Sequence, residues 1–212
     1  MPAPTQDEVR KAVTTALEQA RTPLLAALGA GDLAAEAVSG VLLSRVREIL
    51  QGIAEDERRH GVYLSALRSH LPSPNEPRQA RGAVSFLRKL ATSEITTRLV
   101  RISALDSGVC RVLAEVCRPG LPIARTPLLA ALFGQIRRDE GHHVRLSRYC
   151  AVMLGVTPSA ERAEREWVLR EFSALLEPSS AAFEALGVDT RQLLARMGRA
   201  SPTPRSEFGC TQ

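Results

Sequence analysis

A pattern of eight residues, I-x-x-D-E-x-x-H, occurs once in each half of the 212-residue chain. Residues three apart on a helix share one face, so Glu57 lies beside His60 in the first copy. In the same way, Glu140 lies beside His143 in the second copy. Both pairs fall in line with apolar stripes, where an unpaired charge is costly unless a partner or a metal ion neutralises it. The repeat therefore predicts two helices whose carboxylates and imidazoles point into the interior of the fold.

Apolar residues recur at helical spacing along most of the chain. Aromatic residues make up only 4% of the composition, and alanine and leucine are abundant, which favours helices over a β-sandwich or β-barrel. The segments LPSPNEP and RPGLP interrupt the pattern, and Thr126 followed by Pro127 is typical of a helix start. The predicted fold class is therefore all-α. The expected helices are residues 5–29, 32–71, 83–90, 99–116, 127–154, 159–176 and 180–197.

The sequence offers no segment typical of a membrane protein or a secreted protein. Its longest apolar runs, such as residues 23–30 and 150–156, are far shorter than the roughly 20 residues that span a bilayer. The N-terminal residues MPAPTQDEVRK carry charges and lack the apolar segment of a signal peptide. We therefore expect a cytoplasmic protein with no membrane partner.

Neither the charge nor the cysteines of the chain indicate a function. The formal net charge is +5, but the basic residues, nearly all arginine, are scattered without an aromatic platform or a reading motif, so we expect no nucleic-acid partner. The four cysteines lack C-x-x-C spacing. Cys110, Cys117 and Cys150 lie in apolar helical patterns, so we expect reduced thiols with a structural role.

The Glu-x-x-His spacing is more frequent than chance predicts. With 17 glutamates and four histidines in the chain, about 0.3 occurrences are expected at random. A carboxylate and an imidazole that are one helical turn apart are close enough to bind one metal ion. The alternative is a pair of solvated helix faces that carry their histidines by coincidence.

Asp106 is a further acidic residue on an apolar stripe, because its neighbours on that face are Ile102, Val109 and Cys110. If the helices before and after RPGLP pack antiparallel, Asp106 and Glu140 lie at similar distances from the turn and can face each other. We therefore expect Asp106 to bind metal beside the two Glu-x-x-His pairs. The alternative role for a buried aspartate is a salt bridge or a helix cap.

These motifs resemble those of the ferritin-like di-iron carboxylate superfamily, whose bundles combine a carboxylate from each of two helices with Glu-x-x-His from each of the other two. The resemblance covers residues 5–155 and implies a ferritin-like four-helix bundle there, to which the apolar pattern of residues 159–176 and 180–197 adds two C-terminal helices. It also implies that the motif residues and the third-helix aspartate hold two iron ions, with manganese or a mixed iron–manganese pair as alternatives. The implied metal ligands are Glu57, His60, Asp106, Glu140 and His143.

The resemblance also implies a role for the aspartate that precedes each motif glutamate. Asp139 would orient His60, Asp56 would orient His143, and each would fix the tautomer of its imidazole. The alternative is that both aspartates form ordinary surface salt bridges. The arginines near them in the sequence are Arg58, Arg59, Arg137 and Arg138.

The chain departs from the pattern of this superfamily in two ways. Its third-helix ligand is an aspartate instead of the commoner glutamate, which shortens the reach of the carboxylate. The first-helix carboxylate has three candidates, Glu8, Glu18 and Glu36, and the sequence does not choose between them. One metal position would then lack a ligand, which leaves either an open position for dioxygen or a mononuclear site.

Three regions are expected along the chain. Residues 1–155 form the metal-binding helical bundle, residues 156–198 form a helical extension that packs on the bundle, and residues 199–212 form a disordered tail. A lid over a substrate pocket, or the contact face of a homodimer, is the alternative role of the extension.

Three functions are compatible with these features. The first is an oxidase or oxygenase in which a di-iron centre activates dioxygen and oxidises a small organic substrate. The second is a ferroxidase or another iron-handling protein without an organic substrate. The third is a metal-free helical interaction protein. We expect the first, because a compact storage cage rarely needs the C-terminal extension.

Overall fold

Residues 32–69 and 77–198 are described by the computed structural model, with side chains at residues 40–69 and 82–197. Within these ranges the regular secondary structure is helical, which confirms the all-α prediction. The helices are α1 (Asp32–Ser69), α2 (Pro77–Leu90), α3 (Ile95–Val116), α4 (Pro127–Met153), α5 (Pro158–Leu176), a 3-10 turn (Glu177–Ser179), α6 (Ser180–Ala185) and α7 (Thr190–Gly198).

Several predictions concern segments outside the described residues. These are the helix expected at residues 5–29, the tail expected at residues 199–212, and the side chains of Glu8, Glu18 and Glu36. The first-helix carboxylate therefore stays a prediction.

The chain divides into two compact units, residues 1–55 and 56–212, and the boundary falls inside α1. The second unit contains the D-E-x-x-H residues of both copies, together with Asp106. The five implied ligands, Glu57, His60, Asp106, Glu140 and His143, therefore lie in one unit. A separate boundary at residue 155 stays a prediction.

α3 begins at an acidic cap. The carboxylate of Glu94 accepts hydrogen bonds from the backbone N–H groups of Thr96 and Thr97. The hydroxyl of Thr96 and the hydrogen bonds from Thr97 lower the pKa of Glu94 to about 2. Glu94 thus stabilises the start of the helix. Three turns further along α3, the acidic residue Asp106 is buried.

Threonine–proline pairs start the next two helices. Thr126 has an extended backbone conformation before Pro127, as predicted for the start of α4. Thr157 precedes Pro158 in the same way, and its hydroxyl accepts a hydrogen bond from the backbone N–H of Ala160 at 3.3 Å. These two starts fix where α4 and α5 enter the fold.

The helix predicted over residues 180–197 is interrupted, and this expectation was wrong. Gly187 adopts a positive φ of 78°, and a Cβ atom at this position would lie 2.9 Å from a side-chain methyl of Leu121. Only glycine fits this combination of conformation and space. The side chain of Asp189 then accepts a hydrogen bond from the backbone N–H of Gln192 at 2.9 Å and starts α7.

α3 lies between α4 and α5 and presents a different face to each. Gly108 lies against α5, where an added Cβ atom would be 2.8 Å from the ring of Phe172. Asp106 is two residues away, about 200° around the helix, and faces α4. Phe172, which lies against Gly108, belongs to an apolar core that includes residues from α2 to α7. Its buried members are Phe86, Leu113, Val116, Ile123, Ile136, Phe172, Val188, Leu193 and Met197.

Cys110, Cys117 and Cys150 are free thiols. Burial raises the pKa of each, and that of Cys110 to about 11, so all three stay protonated near neutral pH. None of the described helices is long and apolar enough to cross a membrane.

Candidate metal centre

The two motif histidines face each other between α1 and α4, with their ring centroids 6.3 Å apart. The carboxylate of Glu140 lies between them. Its Oε1 is 3.5 Å from Nδ1 of His60, and its Oε2 is 3.6 Å from Nδ1 of His143. One carboxylate therefore presents one oxygen to each imidazole.

Glu57 repeats this arrangement from the opposite helix. Its Oε2 is 3.8 Å from Nδ1 of His60, and its Oε1 is 3.4 Å from Nδ1 of His143. The similarity has a local cause, because both helices carry glutamate and histidine at the same spacing and pair in opposite directions. The result is a pair of imidazoles with a carboxylate spanning both on each side.

Asp106 adds a third carboxylate on one side only. Its Oδ2 is 3.8 Å from Nδ1 of His143. Together these side chains form two groups of three in which the ligand atoms all lie within 4.8 Å of one another, and Glu140 belongs to both groups. The groups are Glu57–His60–Glu140 and Asp106–Glu140–His143. The cluster is compatible with a di-metal site.

Each imidazole is held from behind by the aspartate of the other helix. Nε2 of His60 lies 3.1 Å from Oδ2 of Asp139, and Nε2 of His143 lies 3.0 Å from Oδ2 of Asp56. A proton on each Nε2 completes these hydrogen bonds and directs each Nδ1 towards the glutamates. The partners are those that the resemblance implied, and their influence on a bound metal stays a prediction.

The two aspartates also have partners of their own. Asp56 forms an ion pair with Arg59, so the salt-bridge alternative and the histidine contact coexist at this residue. Asp139 accepts a hydrogen bond from the side-chain amide of Gln135 at 2.8 Å. Sequence reasoning missed Gln135, although its position one turn before Asp139 on the same helix face was a usable signal.

The site contains buried polar atoms that have no hydrogen-bond partner within the described part of the chain. Separations of 3.4–3.8 Å are too long for charge-assisted hydrogen bonds, which lie near 2.8 Å. They are closer to the roughly 3.0–3.4 Å between two ligands that each lie about 2.1 Å from one metal ion. The buried atoms without a partner at this site are Nδ1 of His60, Nδ1 of His143, Oδ2 of Asp106 and Oε2 of Glu140. A cation fits this set of unpaired acceptors.

Burial and charge shift the pKa of two of these groups in the metal-free protein. Burial and the nearby charge of Glu140 raise the pKa of Asp106 well above its usual range. Burial lowers the pKa of His143, but the carboxylates of Glu140 and Glu57 outweigh burial and raise the pKa to about 9. Near neutral pH, the proton on His143 therefore offsets part of the carboxylate charge at the site.

The two groups differ in their access to solvent. The side chains of Asp106, Glu140 and His143 are almost entirely buried, whereas that of Glu57 is 48% exposed. The group that contains Glu57 and His60 is thus the more accessible of the two. His142 is half-buried beside the cluster and belongs to neither group.

No protein-family model, no curated protein and no solved structure matches this chain.

Proposed function

We propose that this protein is a ferritin-like di-iron oxidase or oxygenase that uses dioxygen to oxidise a small organic substrate. The observation that carries the proposal is Glu140, which presents one oxygen to each of two imidazoles and belongs to both groups of candidate ligands. A carboxylate in that position can bridge two metal ions, and a mononuclear site has no need of it.

Charge favours two divalent ions over one. Glu57, Asp106 and Glu140 contribute three negative charges if all are ionised, and both imidazoles are neutral when they bind metal. With these three carboxylates alone, two divalent cations leave a net charge of +1 and one leaves −1; when Asp56 and Asp139 are counted as well, two cations leave −1 and one leaves −3. The two motif aspartates, which lie on the outer nitrogens of the imidazoles, offset the remaining positive charge.

The donor atoms favour iron or manganese. Carboxylate oxygens outnumber imidazole nitrogens, and no cysteine belongs to either group of described residues. This balance is typical of iron and manganese, while thiolate-rich sets select zinc or copper(I). Iron is the proposed metal because, when bound, it supplies the electrons that reduce dioxygen.

The protein residues have separate tasks in this proposal. Asp106, Glu140 and His143 would hold one ion in a buried position. Glu57 and His60 hold the other ion at the more exposed position, which external molecules reach first. Asp56 and Asp139 hold the imidazoles in orientation through Nε2.

Ferrous titration under anaerobic conditions, followed by exposure to air, tests the proposal. We expect close to two iron ions per chain and, after air, an absorption band of an oxo-bridged ferric pair. Glu140→Ala should lose both signals while retaining helicity. Glu171→Gln is a matched control, because Glu171 pairs with Lys89 at the surface and should leave both signals unchanged.

The result would also separate the alternatives. Iron oxidation without any organic product, in a particle of many subunits, would favour an iron-handling protein. A chain that binds no iron above the level of the Glu140→Ala variant would refute both metal-based functions and favour a helical interaction protein.

A further inference from the structure

Ser147 is a fully buried residue of α4 whose hydroxyl has no hydrogen-bond partner within the described part of the chain. Serines inside helices usually donate to a carbonyl of the preceding turn. Ser103, Ser107 and Ser173 do so here, at 3.3, 2.8 and 2.7 Å. A buried hydroxyl that forgoes this bond is costly and requires another partner.

The position of Ser147 places that partner beside the metal ligands. Residues 140, 143 and 147 follow one face of α4, so Ser147 continues the ligand face by one turn. Helical side chains lean towards the N-terminus of their helix, which directs Ser147 over the turn that carries His143. α3 and α4 are antiparallel, and Asp106 lies level with His143. Ser103, one turn before Asp106, therefore lies level with Ser147, one turn after His143.

Ser147 belongs to one of the two metal positions and not to the other. His60 contacts Asp139 and Glu140, towards the N-terminal end of the ligand face of α4. Ser147 lies beyond His143 at the opposite end of that face. It is therefore next to the Asp106–Glu140–His143 group.

We propose that the hydroxyl of Ser147 binds a small ligand with lone pairs, such as water, hydroxide or a small anion, at the Asp106–Glu140–His143 position. The hydroxyl donates its hydrogen to the ligand atom and holds it beside the metal. Ser147 is thus a positioning residue that selects and orients the small ligand. This inference rests on the proposed metal-binding function.

Azide binding to the cobalt(II)-loaded protein tests the inference without a measurement of catalysis. We expect Ser147→Ala to bind cobalt with wild-type stoichiometry but to bind azide about tenfold more weakly, which is about 1.4 kcal/mol for one lost hydrogen bond. Ser173→Ala is the matched control, since Ser173 already donates to the carbonyl of Leu169. Its azide affinity should stay within about twofold of wild type.

Thermal unfolding of the metal-free protein gives a second readout. Removing an unpartnered buried hydroxyl should leave Tm unchanged or raise it by up to about 3 °C, whereas Ser173→Ala should lower it slightly. A marked fall of Tm in metal-free Ser147→Ala would show that the hydroxyl already has a structural partner, and would overturn the inference.

The remaining outcomes separate the inference from the function on which it rests. Normal cobalt binding with unchanged azide affinity in Ser147→Ala would overturn the inference and leave the metal site standing. Failure of the wild-type protein to bind cobalt or iron would overturn both.

Discussion

Replacement of Glu140 by glutamine conserves the shape of the side chain but removes the one ligand, among the described residues, that both candidate metal positions share. The carboxylate presents an oxygen to each imidazole, 3.5 Å from Nδ1 of His60 and 3.6 Å from Nδ1 of His143. An amide has only one oxygen, and its NH₂ group donates hydrogens and does not bind a cation. Glu140→Gln should therefore weaken both positions together.

The expected loss of metal affinity is at least 100-fold at each position. Changing a residue that only supports a ligand typically costs 10- to 100-fold in metal affinity, and Glu140 is itself a candidate ligand. A 100-fold loss corresponds to about 2.7 kcal/mol. The free energy of unfolding of the metal-free protein should change by less than about 2 kcal/mol, because opposing effects are removed. Glu140 repels Asp106 but attracts protonated His143. In the variant, His143 still has the carboxylates of Glu57 and Asp106 as neighbours.

Equilibrium dialysis with cobalt(II), followed by metal analysis, measures the affinity, and urea unfolding of the metal-free protein measures the stability. Two ions bound by Glu140→Gln with wild-type affinity would refute the reasoning. So would a loss of 3–5 kcal/mol in metal-free stability, which is typical of breaking a buried ion pair. That second result would make Glu140 a structural residue.

Three further predictions concern the groups around Glu140. Asp106→Asn should abolish the buried position and leave about one ion at the exposed position in equilibrium dialysis; loss of both ions would contradict two separable positions. Asp139→Asn and Asp56→Asn should each lower metal affinity 10- to 100-fold, because each releases one imidazole; unchanged affinity in both variants would mean that these aspartates only form surface contacts. The pKa of His143 is raised from the usual 6.5 to about 9 in the folded protein. The metal-free protein should therefore lose up to about 3 kcal/mol of stability as the pH rises from about 6.5 to about 9. The protonated form is favoured by folding, so this contribution is complete below about pH 6.5 and is lost as pH rises through about 9. Urea melts across this range check the sign, and a stability that rises with pH would contradict it.

The helices were predictable from the sequence because their signals are local. The start of α4 at Pro127 and the end of α3 at Val116 follow from threonine, proline and glycine in known positions. The break at Gly187 was missed, although a glycine followed by Asp189 is a usual helix end and helix start. Its positive φ arises where the chain passes close to Leu121, a contact between distant residues that periodicity does not contain.

The candidate site was predictable only in part. Spacing on one helix places Glu57 beside His60, but it does not determine how α1 and α4 align with each other. The contact between Asp56 and His143 depends on that alignment. The sequence indicated this contact only through its resemblance to the ferritin-like di-iron carboxylate superfamily. Periodicity also extends the ligand stripe of α1 to Leu64, whose side chain is exposed in the structure. A repeating pattern identifies a helix face and does not identify what covers it.

The difference between the two metal positions originates outside the repeat. The repeated motif alone would give two equivalent positions, because each helix contributes one glutamate, one histidine and one supporting aspartate. α3 breaks this equivalence by placing Asp106 next to His143 and leaving His60 without a matching carboxylate among the described residues. The packing of α3 between α4 and α5 also buries that side of the site, while Glu57 stays exposed. In the proposed centre, therefore, the repeat supplies a glutamate and a histidine for each ion, and α3 determines which of the two ions is enclosed.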